Sequence, residues 1–339
     1  MSAAKPPMIV GLDTSNYRTS LAAVTPEGET LLDYRELLPV PEGGRGLRQS
    51  EAVFAHTRQM RNCLDALRRI GKTHRITAVA ASVKPRDGDE SYMPVFQVGH
   101  TLGAVLAAAE DAPFYPTTHQ RGHLAAALQG TALEEEERLL ALHLSGGTTD
   151  LLKIESETVG ALGGSTDLHA GQLVDRVGVS LGLGFPAGEA LEALAARGTS
   201  RGLLGVSMED GGCLCHFSGA EAQAQRWISE GRMSPEDIAR EVYDLLARTV
   251  LRLLKAGQTR TGFSKALVTG GVASSPLLRE MLARRGARDG RGPELVFGLP
   301  QRSGDNAVGV ALIGAKRWKL EQRRNETAEG NYVGENTGR

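Results

Sequence analysis

Aromatic side chains are scarce in this chain, 4% of 339 residues, whereas glycine occurs 42 times. That balance weighs against an aromatic-lined apolar pocket. It favours tight turns and close backbone approaches, which suit polar, phosphate-bearing ligands. Cysteine is rarer still at three residues, which excludes a disulfide framework and points to a reducing compartment. No apolar run approaches the ~20 residues needed to cross a bilayer. Residues 1–7 lead straight into a strand pattern without the apolar core of a signal peptide. The reading is a cytoplasmic protein with no membrane partner. A net charge of −1 supplies no global field for nucleic acid and leaves room only for a local basic patch.

What is present is organised in two halves. The length accommodates two lobes, each with its own core. Strands are expected at 8–12, 20–24 and 30–34, with a turn at Asp13, Thr14 and Ser15 and a loop at 39–46. Val53, His56, Met60, Leu64 and Leu67 mark one helical face. A strand at 76–81, a helix at 95–109 and a strand at 113–115 lead to a helix carrying His119 and His123. Four glutamates at 134–137 read as a solvated connection. A second strand, glycine turn and strand follow at 139–144 and 150–154, and this repeat suggests a duplicated unit. Ser165, Thr166 or Asp167 is expected to cap a helix running to Leu181. Ser234 caps another that stops at Gly257. A strand at 265–269, a helix at 276–284, a strand at 294–297 and a helix at 306–318 complete the pattern. The domains are then 1–130, 131–300, a returning helix 301–318, and a disordered tail 319–339.

His119 and His123 are four apart, so a helix places both on one face within reach of a single metal ion. Asp305 is a third candidate ligand. The zinc-protease motif has the same spacing but sets a catalytic glutamate after the first histidine; here that residue is Gln120, which cannot act as a base. Three small-residue turns accompany the pair. Leu144, Ser145, Gly146, Gly147 and Thr148 form a hairpin whose backbone N–H groups can approach an anion. Asp13, Thr14 and Ser15 occupy the equivalent place in the first half. Gly270, Gly271 and the residues to Ser275 join a strand to a helix and leave room for a purine or ribose.

This order of motifs is similar to the layout of the actin, sugar kinase and Hsp70 superfamily, and the residues resemble one branch of it. That branch is the TsaD family, formerly Gcp and once labelled a glycoprotease, which transfers a threonylcarbamoyl group from an adenylate to tRNA. The resemblance spans residues 8–318. It rests on the two histidines, Ser145-Gly146-Gly147, Asp175 with Gly188, Gly270-Gly271-Val272-Ala273 and Asp305-Asn306-Ala307. It implies a two-lobed actin-like (ASKHA) α/β fold, each lobe a mixed sheet flanked by helices. It also implies one divalent metal, iron or zinc, on His119, His123 and Asp305. ATP or an acyl-adenylate would lie on Leu144, Ser145, Gly146, Gly147, Thr148, Asp175, Gly188, Gly270, Gly271 and Ser275. Catalytic roles fall to Asp13, Ser145 and Asp175. The partners implied are tRNA and a TsaB-like chain or a second copy docked through the N-terminal lobe.

The chain departs from the family at several of these places and resembles a divergent paralogue. The family's Glu-Thr-Ser-Cys-Asp-Glu-Thr is Asp13-Thr14-Ser15-Asn16-Tyr17-Arg18-Thr19 here. A histidine becomes Thr148, a glutamate becomes Gln172, and an asparagine becomes Ser275. Fewer acids and an added Arg18 make the phosphate region more positive. Two alternatives therefore stay open: carbamoyl transfer to a non-tRNA acceptor, as in HypF, and a non-catalytic nucleotide-binding scaffold. Three smaller features receive structural readings. Cys213, Cys215 and His216 read as a buried thiol pair rather than a ligand set. His56 reads as a satisfied core histidine. Lys316, Arg317, Lys319, Arg323 and Arg324 read as a solvated helix end rather than a tRNA contact.

Overall fold

The computed structural model describes residues 4–15, 18–39, 47–88, 93–302 and 307–335. The chain divides into two units, Met1–Ala126 with Asp305–Arg339, and Ala127–Gly304.

The first unit opens with β1 (Pro7–Asp13), β2 (Arg18–Val24) and β3 (Thr30–Leu37) as an antiparallel set. Helix α1 (Gln49–Ile70) leads to β4 (Arg75–Lys84), α2 (Phe96–Ala109), β5 (Phe114–Thr118) and α3 (His119–Leu128). Strands β4 and β5 join parallel to β1, giving the order β3-β2-β1-β4-β5. Period-two alternation explains why β1 is apolar throughout. Met8, Val10 and Leu12 face Met60, Cys63 and Leu67 of α1, and Ile9 faces the opposite core.

The second unit repeats this plan. Strands β6 (Arg138–Leu144), β7 (Thr149–Glu155) and β8 (Thr158–Ser165) form the antiparallel set. They are followed by α4 (Ala170–Ser180), α5 (Gly188–Ala195), β9 (Ser207–Glu209), β10 (Leu214–His216), α6 (Ser218–Glu230) and α7 (Pro235–Thr261). Then come β11 (Lys265–Thr269), α8 (Pro276–Asp289) and β12 (Glu294–Phe297). The order β12-β11-β6-β7-β8-β10-β9 is the first sheet's order with two short strands added at one edge. The last helix, α9 (Val308–Glu335), returns to the first unit, where Val308, Val310, Ala311 and Ala315 pack on Ile9, Ala22, Ala78 and Ala80.

Several expectations need correction. Helix α4 begins at Ala170, after His169, and none of the three residues proposed as its cap is used. Asp167 instead accepts N–H bonds from Phe217 and Ser218, which stabilise the start of α6. Burial alone would raise its carboxyl pKa; hydrogen bonds from Ser218, Leu168 and Phe217 hold it well below the usual range. Helix α7 passes through Gly257, whose missing side chain admits Leu140 and Leu151, and ends at Gly262 with φ 75°. Helix α9 runs seventeen residues beyond Trp318, to Glu335. Residues 319–329 contain no proline or glycine and many strong helix formers. Glu321 in this stretch accepts the Tyr115 hydroxyl at 2.6 Å. Residues 40–46 of the loop expected at 39–46, and the expected start of the last helix at Asn306, lie outside the described residues. No helix among the described residues is long and apolar enough to cross a membrane.

Candidate functional site

In the first unit the candidate ligands meet at the junction of β5 and α3. Helix α3 starts at His119, and its second N–H, from Gln120, donates to Pro85 O at 2.9 Å, fixing the helix against the end of β4. The imidazoles of His119 and His123 stand edge to face with centroids 4.3 Å apart. Their Nε2 atoms approach to 2.9 Å. His119 Nδ1 lies 2.7 Å from Asp13 Oδ2. Asp13 is buried at the end of β1, where Ser82 Oγ donates to its Oδ2 at 2.8 Å and Ser15 N–H donates to its Oδ1 at 2.9 Å. With Asp13 accepting from Nδ1–H, the His119 Nε2 lone pair points at Nε2 of His123, the geometry in which a cation between the two rings would replace their mutual contact.

This donor set fits a divalent metal: two imidazole nitrogens converge and a carboxylate orients one of them from behind. Asp305 lies outside the described residues, and among those described no three ligand-type side chains are placed to hold one ion. What is described is α9, the helix that follows it in sequence. Gly309 sits on Gly122: a Cβ there would come within 1.8 Å of Gly122 O. The first turn of α9 thus crosses α3 backbone to backbone, beside His123.

Behind the first turn, Thr19 Oγ1 donates to Gln59 Oε1 at 2.6 Å and lies 2.8 Å from His56 Nδ1. The shared hydroxyl makes His56 Nδ1 the donor and leaves Nε2 buried with no partner among the described residues. Burial lowers the imidazole pKa to about 4, with the Ser15 carbonyl and the Asp13 charge opposing the shift. His56 is therefore a core histidine, but a half-satisfied one.

In the second unit the hairpin candidates form one cluster. Ser145 Oγ lies 2.7 Å from Thr148 Oγ1 and accepts N–H bonds from Gly147 and Thr148. Gly171, at the start of α4, donates its N–H to Ser145 O at 3.1 Å. A Cβ on Gly171 would lie 2.6 Å from Gly146 Cα, so only glycine permits this contact. Gly270, with φ 105°, passes as closely under Leu144 O. By contrast Gly146, Gly147, Gly188 and Gly271 have nothing within 4 Å of an added Cβ. Those four face open space.

Asp175 lies one turn beyond Gly171 on α4, and its Oδ1 accepts the Ala187 N–H at 2.9 Å, just before Gly188. Tyr243, a residue sequence reasoning missed, donates its hydroxyl to Gly188 O at 3.2 Å. Burial, then the Glu192 charge, push that phenol above its ordinary range, and a Ser275 hydrogen bond opposes them. The run from Gly270 to Ser275 thus connects the hairpin to the Asp175–Gly188 region. Ser275 also accepts the Leu278 N–H as the cap of α8. Ser82 is the other residue that sequence reasoning missed; its signal is a hydroxyl near the end of the apolar strand β4. Cys213 and Cys215 are both buried, and burial raises both thiol pKa values.

A family model described as TsaD, tRNA N6-adenosine threonylcarbamoyltransferase, matches residues 45–297. A curated protein of that description from Thermofilum pendens is 28% identical over 309 residues, 91% of this chain and 88% of its own. One from Methanopyrus kandleri is 28% identical over 312 residues, 90% and 86% of the two chains. Among solved structures, HypF from T. kodakarensis superposes with a TM-score of 0.59 at 15% identity over 94% of this chain. This chain spans 48% of that protein's length. A ROK family glucokinase from Streptomyces griseus, solved with glucose and AMPPNP, gives 0.53 at 14% identity, covering 91% and 99%. These two likenesses establish the actin-like fold alone.

Proposed function

This chain belongs to the TsaD family of tRNA N6-adenosine threonylcarbamoyltransferases, and we propose on that premise that it transfers a threonylcarbamoyl group from its adenylate to N6 of an adenosine in tRNA. It is a transferase and not a peptidase, in keeping with Gln120 in place of a general base. The observation that carries the proposal is the pair of Nε2 atoms 2.9 Å apart with Asp13 holding the far nitrogen of His119.

His119, His123 and Asp305 would hold one iron or zinc ion. When bound, it would supply Lewis-acid polarisation of donor oxygens. Asp13 keeps His119 in the Nδ1–H tautomer, with Ser82 fixing the carboxylate. In the second unit, the N–H groups of Gly147 and Thr148, now spent on Ser145 Oγ, would turn to a phosphate. Asp175 would accept a hydrogen bond from a ribose or donor hydroxyl. Gly146, Gly188, Gly270, Gly271 and Ser275 would line the adenylate or ATP. A TsaB-like chain or a second copy would dock on the first unit, where Phe54 of α1 and Leu37 of β3 are 65% and 63% exposed. A second reading, HypF-like carbamoyl transfer to another acceptor, is favoured by Arg18 and the missing acids of the first turn.

The test is a transfer assay with metal-loaded protein, threonylcarbamoyl-adenylate or carbamoyl-adenylate, and unmodified tRNA, followed by nucleoside mass analysis. Threonylcarbamoyladenosine formation, reduced by ~100-fold or more in His119→Ala, is the expected result. Turnover of the carbamoyl compound alone would move the protein to the second reading.

A further inference from the structure

The second unit carries a concentration of positive charge that the proposed chemistry does not use. From Arg248 onward α7 bears Arg248, Arg252, Lys255 and Arg260 and no acid, although the whole chain is balanced at −1. Arg248, Arg252 and Lys255 are spaced by four and three, so they form one stripe of the helix. Arg284, Arg285 and Arg288 form a facing stripe on α8. Two adjoining cavities of about 380 and 390 Å³ lie along them and share Arg285 and Arg288.

Some of these charges build the groove. Asp244, 4% exposed, accepts from Arg248 at 2.8 Å and pairs with Arg285, tying α7 to α8. Lys255 pairs with Asp289, and Arg284 with exposed Glu280. Arg252 and Arg288 are exposed and have no hydrogen-bond or ion-pair partner among the described residues. Two unpaired guanidinium groups thus line one wall and the other of a groove whose floor is already held rigid. Leaving like charges together has a cost that an anion would relieve.

We propose that this α7–α8 groove binds the phosphate backbone of an RNA, presenting Arg252 and Arg288 as its first contacts. The inference rests on the tRNA reading above and adds a surface to it. A protein partner would need an apolar or aromatic anchor at the centre of its interface. The groove offers only Leu251 and Met281, both at least partly buried, and no aromatic residue. Phosphate contacts need no such anchor; they need guanidinium and ammonium groups repeated along a surface. Successive cations one helical turn apart, about 6 Å along the axis, provide that repetition. The basic run of α9 competes poorly: Arg317 donates to Pro116 O, and Glu321 lies within the stretch.

The experiment compares full-length wild type with Arg252→Gln/Arg288→Gln for binding of unmodified tRNA across a salt series. Adenylate-analogue binding and thermal stability are measured beside it, to confirm that the variant is folded. The expected result is at least ~10-fold weaker tRNA binding and a log–log salt slope shallower by about two, roughly 0.9 for each phosphate no longer neutralised. Adenylate binding should be unchanged. If wild type binds tRNA and the variant binds it equally well, the groove assignment is overturned and the transferase reading stands. If wild type binds no tRNA under any condition, both fall. If instead polyglutamate binds the groove and tRNA does not displace it, the surface belongs to an acidic protein and the proposal is wrong.

Discussion

Strand β1 ends on Asp13, a carboxylate 1% exposed and tied to His119, Ser82 and Ser15. Between β6 and β7, at the same place in the repeated topology, the chain turns on Ser145, Gly146, Gly147 and Thr148 with no charge at all. The end of β1 thus presents a buried anion that orients the His119 ring, the nitrogen proposed to meet a cation pointing away from it. The β6–β7 turn holds its N–H groups on a rotatable hydroxyl and leaves two glycines facing open space, which suits an incoming anion. On the proposed function, a few side chains give the two repeats of one plan opposite electrostatic roles.

The comparison can be broken most sharply at Asp13. Asp13→Asn preserves size but removes the charge that holds the His119 tautomer. Metal affinity, measured by competition with a chelator, should fall by ~10–100-fold. Unchanged affinity would mean that the buried carboxylate serves the fold alone. The second turn separates packed glycine from open glycine. Gly171→Ala places a Cβ against Gly146 and should cost about 1–3 kcal/mol in denaturant unfolding. Gly146→Ala meets nothing and should stay within about 1 kcal/mol of wild type while weakening adenylate binding by roughly a factor of ten, or about 1.4 kcal/mol. Equal destabilisation by both substitutions would remove the distinction.

The smallest effect concerns acid sensitivity of the first turn. His56 has a folded pKa of about 4, below its unfolded value near 6.5. Between those values the unfolded chain binds more protons, so stability rises with pH and is lost as pH falls. About 1 kcal/mol should disappear between pH 7 and 5.5, and His56→Gln should flatten that part of the curve. A parallel pH profile for the two proteins would show that His56 does not supply it.

Much of the fold was legible because local spacing records it. The strand–turn–strand repeats, the pairing of His119 with His123 and the Ser234 cap all follow from periodicity or from residue type at a boundary. The failures share one cause. Gly257 signals a helix end only where nothing packs on it, and here Leu140 and Leu151 do. Asp167 reads as a cap for the next helix, but pairing of β8 with β10 delivers it to the start of α6 instead. Tyr243 reads as a core aromatic until its hydroxyl meets Gly188.

By itself, then, the sequence determined the family, the duplicated plan, the helical histidine pair and the glycine turns, since each is written in residues a few positions apart. Only the tertiary structure decided that Asp13 stands behind His119 across 106 positions, and that Ser82 steadies it. It alone set Gly309 on Gly122 and the two arginine stripes across from one another. Those relations depend on sheet register and helix crossing, which are fixed by the packing of the whole core and not by any one segment.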